Sequence, residues 1–421
     1  MPLNILIIGV GIGGPIMAFI LQRSNPDHHI TVIERSPALR ASGAQIDIRD
    51  QGIPLLRKLG LLDAVKARAV SEGGVELVDK DDKRRAVFGV NNSGEGPQSF
   101  TSEYEIMRGD LVEVLYQASL EQNAKTRGKG GVKYEFGRLV TEMTQDETGV
   151  DVTFADGVKA RYDLVIGADG QSSRTRKQVF GKETSDAAFK SLGVSCAFYS
   201  IPRDPTDKSD LSKYYNAPER RGIMTRPSKP TITGVYLMTM EETDELKASL
   251  KQPVEKQKEV WAKLFAGAGW QTDRLLDGMM RCDDFYATMF GQVKLEHISK
   301  GRVALLGDAG YVPSPITGMG TTSAIVGAYV LAGELARHND DVHAALKAYD
   351  KEMRPFVAEV QKLMPGVPDL MFPKTQFGIS IMHLVAGAIS WTKVDKFIDR
   401  FLPENKGGWT PPEYPELKLD S

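Results

Sequence analysis

The chain has 421 residues, enough for two or three domains, or for one domain inserted into another, and for a sizeable core. Its 53 basic and 55 acidic side chains leave a formal charge of −2, so nothing draws it to nucleic acid or to an anionic membrane. Six histidines and two cysteines do not make a metal site: Cys196 and Cys282 lie outside any C-x-x-C spacing and fit a reducing, cytoplasmic interior as packing residues.

Residues 3–8 are an apolar, β-branched run of strand length with no basic flank, so they are expected as a strand rather than a secretory signal. Gly9-x-Gly11-x-x-Gly14 turns that strand into a helix to about residue 23, and residues 30–33 form a second strand ending at Glu34-Arg35. In a βαβ unit such glycines allow a tight turn, backbone approach to a pyrophosphate and close helix packing. Glu34 stands about 20 residues on, where an acid hydrogen-bonds an unphosphorylated ribose, as in FAD or NAD. The alternative is a glycine-rich turn that holds no ligand.

Arg40 begins a loop that leads through Gly43-Ala44-Gln45-Ile46-Asp47-Ile48 into a short strand. Residues 51–70 read as one amphipathic helix, with Leu55, Leu56, Leu59 and Leu62 on one face. Residues 73–100 mix strand-like pieces with a polar loop. Arg108-Gly109-Asp110 opens a helix to about residue 122. A meander of short strands is expected at about 132–136, 150–154 and 160–162. A buried strand then ends in Gly167-Ala168-Asp169-Gly170, and Ser173 to Arg176 start a short helix.

From residue 180 to 284 the texture changes to strand-like runs, at 192–199 and 231–240, with one helix at 254–265. This reads as an inserted, mainly antiparallel β domain. A last apolar strand, residues 303–306, ends in Gly307-Asp308, followed by Pro315 and Gly318-Met319-Gly320 and a small-residue helix. That order builds a loop whose backbone N–H groups and helix N-terminus can hold an anionic group. Paired with the first glycine motif, it points to a flavin. The apolar stretch 377–391 is shorter than the ~20 residues of a membrane span and contains His383. It reads as a helix packed on the body; a membrane-surface or dimer contact is the other reading. The Pro/Gly/Lys-rich tail from Pro403 is expected to be loose.

These three motifs, in this order and spacing, resemble the FAD-dependent aromatic hydroxylases of the p-hydroxybenzoate hydroxylase type, the class A flavoprotein monooxygenases, over about residues 1–365. The run around Gln45 and Asp47, with Arg108, is similar to the branch that holds the tetracycline-inactivating monooxygenases. The resemblance implies an α/β fold: a Rossmann-like FAD-binding domain (1–72, 106–179 and 285–350), an inserted antiparallel β-sheet substrate domain (73–105 and 180–284), and a C-terminal helical segment and tail (351–421). It implies that Gly9, Gly11, Gly14, Glu34, Arg35, Gln45, Asp47, Arg108, Asp169, Asp308, Gly318, Met319 and Gly320 bind FAD. Within that set Asp308 would take a ribityl hydroxyl, and Arg35 and Arg108 the pyrophosphate or ribityl side. Pro315 would wall the reactive face of the ring. Arg40 would gate the flavin and NADPH, a solvated loop charge being its other reading.

The resemblance further implies NADPH or NADH docking transiently, reaction with O2 through a flavin C4a-hydroperoxide, and hydroxylation or oxidative rearrangement of an aromatic or polycyclic small molecule, in secondary metabolism or antibiotic modification. A monomer or homodimer without nucleic acid is expected. Phe198, Tyr214, Met224, Tyr236, Met238 and Met289 are candidate substrate contacts, with plain core packing as the other reading. Tyr311, Met319, Thr322 and Gly327 depart from the His, Gln, Asn and Asp usual in the family, which puts side-chain hydrogen bonding near the flavin in question. A halogenase is disfavoured because the four tryptophans do not form a W-x-W-x-I-P signature. Another flavin oxidoreductase, or a protein that binds FAD without turnover, remains as an alternative.

Overall fold

A computed structural model describes residues 2–40, 43–70, 72–89, 104–125, 128–363, 366–392 and 408–419. Its first sheet has six strands in the order Ser299–Lys300, Val303–Leu305, Leu164–Gly167, Asn4–Ile8, His29–Glu34 and Gly131–Phe136. All neighbours are parallel except the two-residue strand at one edge. Parallel strands buried on both faces read as continuous apolar runs, which is why residues 3–8 and 163–167 were legible. Helices Gly13–Ser24, Arg108–Lys125 and Gly320–Arg337 cover this sheet within the largest core cluster.

The register fixes where the motifs end. Ile8 lies opposite both Gly167 and Ile33, and Gly167 lies opposite Leu305. The residues that leave these strands are therefore Gly9, Glu34, Ala168-Asp169 and Gly307-Asp308, all at one carboxyl edge. Open α/β sheets bind ligands at that edge.

A second sheet has seven strands in the order Tyr286–Val293, Phe189–Pro202, Ile232–Thr239, Arg221–Lys229, Leu211–Ala217, Gly74–Val78 and Arg84–Gly89. It is antiparallel except where Leu211–Ala217 runs parallel to Gly74–Val78. The sheet takes in Tyr286–Val293, so it extends past the boundary expected at residue 284. One face is sealed by helices Asp244–Ser249, Val254–Phe265 and Thr272–Arg281 through Trp261, Phe265, Leu275 and Met279. The other face carries Cys196, Phe198, Tyr214, Met224, Tyr236, Met238 and Phe290, and packs against Ala44 and Ile316 from the first domain.

Three expectations are corrected. Residues 51–70 form two helices, Gly52–Lys58 and Leu62–Lys66, because Gly60 between them takes φ +75°. The run at 132–136 is not part of the meander but pairs with His29–Glu34; the meander is Val140–Gln145, Val150–Phe154 and Lys159–Tyr162. The first of these was missed because, of residues 141–145, only Met143 is not exposed, so it lacks an apolar face. The tail is not loose where it is described. Trp409 packs on Phe356, Tyr414 donates to the Glu334 carboxylate at 2.6 Å, and Leu417 and Leu419 are buried; residues 403–407 lie outside the described set. Among the described residues no helix is long and apolar enough to cross a membrane.

Candidate flavin site

The glycine loop is shaped by close approach. Gly9 sits at φ +113°, and a Cβ there would lie 2.5 Å from the Ala168 carbonyl oxygen, so the second strand-end motif crosses directly over it. A Cβ on Gly14 would fall 2.0 Å from the Gly9 carbonyl oxygen. The Glu34 carboxylate locks the loop by accepting from the Val10 N–H at 3.1 Å and the Ser36 N–H at 2.9 Å. Carboxylate oxygens have further lone pairs, so Glu34 can still receive ribose hydroxyls.

Arg108 spans the site. Its backbone N–H donates to the Ala44 carbonyl at 3.0 Å, and its stem packs beneath Gly43. Its guanidinium reaches to 3.4 Å from where a Cβ on Gly11 would stand. Asp308 completes the opposite side. Its side chain is open to solvent yet lies deep in the protein: burial raises its carboxyl to about 6, against the pull of Arg108. Depth combined with accessibility marks a concave site. The Asp308 Oδ1 stands 4.0 Å from the Cβ position of Gly320, the first residue of the long helix. Among the described residues no side chain caps that helix N-terminus, so its first-turn N–H groups face the loop as donors.

The loop between Asp308 and that helix is strained. Ser314 holds φ +98°, costing about 1–3 kcal/mol for a non-glycine residue, and its hydroxyl accepts from the Ile316 N–H at 3.2 Å. The strain presents Pro315 outward, exposed, while Ile316 packs on the aromatic face of the second sheet. Gly318 turns at φ +66° against the Asp47–Arg49 ion pair, whose Nη2–Oδ2 distance is 2.6 Å.

Several expected residues do other work. The Asp169 carboxylate accepts from the Ser173 hydroxyl at 2.5 Å and the Arg174 and Thr175 N–H groups at 2.8 and 3.0 Å, and so starts helix Arg174–Phe180. The Met319 side chain goes into the main core, leaving only its backbone at the loop. The Gln45 side chain turns away into a buried ionic cluster. Arg35 and Arg40 are exposed at strand and loop ends. Of the substrate candidates, Met289 has the opposite parity to Phe290 and leaves the aromatic face; the other five share it.

The departures lie behind the loop, in the core. The Tyr311 ring is fully buried and its hydroxyl pairs with the Tyr349 hydroxyl at 3.0 Å, which donates to the Leu305 carbonyl at 2.9 Å. A Cβ on Gly327 would sit 1.8 Å from the Tyr311 hydroxyl. Tyr311 and Gly327 are thus one paired exchange: the larger ring uses the space that a side chain at 327 would need. Thr322 ties the loop to the helix by accepting from the Arg49 N–H at 3.0 Å and donating to the Arg49 carbonyl at 2.8 Å.

The buried cluster was not expected. The Arg226 guanidinium bridges both oxygens of Glu72 at 2.9 and 3.0 Å and the Glu105 carboxylate at 2.5 Å. The Gln45 amide also donates to Glu72 and Glu105, and its backbone N–H donates to the Tyr236 hydroxyl at 3.1 Å. Glu105 lies opposite Asp47 in a two-stranded ribbon. Burial, with Asp47 and Glu72 adding to it against Arg226, pushes the Glu105 carboxyl up to about 8. Arg176 is a second link: it donates to the Ala309 and Gln171 carbonyls, both at 2.8 Å, joining the second and third motifs.

A glycine cradle beside a guanidinium, a ribose-side acid, and a deep accessible carboxylate next to an uncapped helix start together fit FAD. The comparisons agree, and define a flavoprotein monooxygenase. The chain matches the FAD binding domain family over residues 3–363 and belongs to it. It is 42% identical to the FAD-dependent monooxygenase asL6 of Sarocladium schorii, with all of both chains covered. It is 37% identical to the flavin-dependent monooxygenase eupH of Phoma sp, covering 94% of each. Among solved structures it is similar to the tetracycline destructase Tet(51), at TM-score 0.78 and 28% identity, covering 98% of this chain and 100% of that one.

Proposed function

We propose that this FAD-dependent monooxygenase consumes NADPH or NADH and O2 to hydroxylate or oxidatively rearrange an aromatic or polycyclic small molecule. The observation that carries the reading is the aromatic face of Phe198, Tyr214, Tyr236 and Phe290, set against Ile316 and therefore beside Pro315. Bound FAD supplies the oxygen-activating chemistry. The protein's own groups hold it and exclude water. Glu34 takes the ribose, Arg108 and the loop N–H groups the phosphates, and Asp308 a ribityl hydroxyl. The N-terminus of helix Gly320–Arg337 would favour negative charge on a ring edge placed against it. Pro315, with no N–H, gives a rigid wall that does not compete for hydrogen bonds. Arg40, exposed on its loop, is suited to meet the nicotinamide cofactor's phosphates.

Aromatic and methionine side chains suit a flat, apolar, polycyclic phenol. Tet(51) is a tetracycline destructase, and tetracycline carries a phenol on a polycyclic frame, which supports a polycyclic phenol as the substrate class here. The test is NADPH and NADH consumption by the purified yellow protein across a panel of polyketide phenols. Stimulation by a subset of planar phenols is expected. A flavin that neither nicotinamide reduces, with any of the panel present, refutes the reading.

A further inference from the structure

We propose that the open face of Tyr286 is the platform on which the enzyme stacks a planar aromatic substrate. This deepens the reading above and rests on it. Tyr286 starts the edge strand Tyr286–Val293 and lies opposite Phe198 in the antiparallel register. Their rings are nearly parallel, with centroids 5.1 Å apart and 12° between planes. Phe198 is itself held from behind, edge-on to Tyr236 at 4.9 Å and stacked on Phe290 at 6.4 Å.

Phe198 covers one face of Tyr286, yet Tyr286 stays 47% exposed. The remaining area is its other face and its edge. By its pairing with Phe198, Tyr286 lies on the sheet face whose cluster packs against Ala44 and Ile316 of the first domain. Burial raises the Tyr286 phenol, and Arg108 and Asp308, from the far side of the cleft, both act on it electrostatically. The exposed face therefore looks into the gap between the aromatic sheet and the flavin loops. Large aromatic side chains open to a cleft, with their rotamer already fixed by a stacked partner, bind planar rings at little ordering cost. No sequence pattern marks Tyr286, because its place depends on the pairing of strands separated by the whole inserted domain.

The experiment uses FAD-loaded enzyme and two probes: 2-naphthol and decahydro-2-naphthol. The second keeps the skeleton and hydroxyl but has no aromatic face. Dissociation constants are read from perturbation of flavin absorbance, alongside the FAD content and urea midpoint of each variant. The wild type should prefer 2-naphthol by roughly tenfold, the size of one good aromatic contact. Tyr286→Phe should keep that preference, and Tyr286→Ala should lose it. Tyr286→Leu, which keeps an apolar bulk, reads the same loss if the alanine variant folds poorly. Preference retained in both Tyr286→Ala and Tyr286→Leu overturns the platform while leaving the aromatic pocket standing. Equal loss in Tyr286→Phe also overturns it, since the hydroxyl would then be the contact. Failure of the wild type to bind 2-naphthol at all overturns the aromatic-substrate reading itself.

Discussion

Replacing Gly327 by alanine tests whether Tyr311 and Gly327 are one exchange. The new methyl would stand 1.8 Å from the Tyr311 hydroxyl and 2.9 Å from the Leu306 Cδ1. The hydroxyl cannot retreat freely, because it is bonded to Tyr349 in a fully buried pair. Overpacking of this kind costs about 1–3 kcal/mol. Loss of the tyrosine pair adds about 1 kcal/mol, and better helix propensity returns about 1 kcal/mol. Gly327→Ala should therefore destabilise by about 1–3 kcal/mol. Tyr311→Phe alone should cost about 1 kcal/mol or less, since Tyr349 keeps its bond to the Leu305 carbonyl. The double variant should be no less stable than Gly327→Ala, because the clashing atom is gone. Urea denaturation at fixed excess FAD, followed by tryptophan fluorescence, measures all three. Additive losses, within about 0.5 kcal/mol, would falsify the pairing.

Other outcomes follow from the same geometry. Asp308→Ala should weaken FAD binding by about ten- to a hundredfold, as for a hydrogen bond to a charged group. The apoprotein should be no less stable, because the Asp308 carboxyl, raised to about 6, lies deep in the cleft with no hydrogen bond of its own to lose among the described residues; full flavin retention through gel filtration contradicts the weakened binding. Arg226→Met leaves Glu72 buried without its cation, and Glu105 without a donor, and should destabilise by about 3–5 kcal/mol, a loss that a denaturation midpoint unchanged from wild type would rule out. Glu105 holds its proton up to about pH 8 when folded, but releases it near 4.5 when unfolded. Between those values the native state binds more protons, so its contribution to stability falls as pH rises, by at most about 1.4 kcal/mol per pH unit. Glu105→Gln should flatten that slope, and an unchanged pH profile would refute the assignment.

The candidate flavin site was legible because its parts sit at strand ends, and strand ends show in sequence. Gly9, Glu34, Ala168 and Gly307 each close an apolar run, and parallel pairing then brings them to one edge. What was not legible depends on distant partners. Arg226 meets Glu72 154 residues away and Glu105 121 residues away, and nothing local marks any of the three. That Asp169 also caps a helix, through Ser173 to Thr175, was not read from the sequence although those neighbours are local. Tyr311 and Gly327 looked like two departures because their shared space exists only after the helix docks. The tail from Trp409 to Leu419 looked loose because Pro and Gly hide its few anchoring apolar side chains, which find the main core.

The most direct measurement of the central claim is turnover under isotopically labelled dioxygen, with NADPH and a planar phenol that stimulates flavin reduction. The site described here predicts a product carrying one labelled oxygen atom, formed in step with NADPH consumed. Hydrogen peroxide as the sole product, with every stimulating phenol recovered unlabelled, would contradict it.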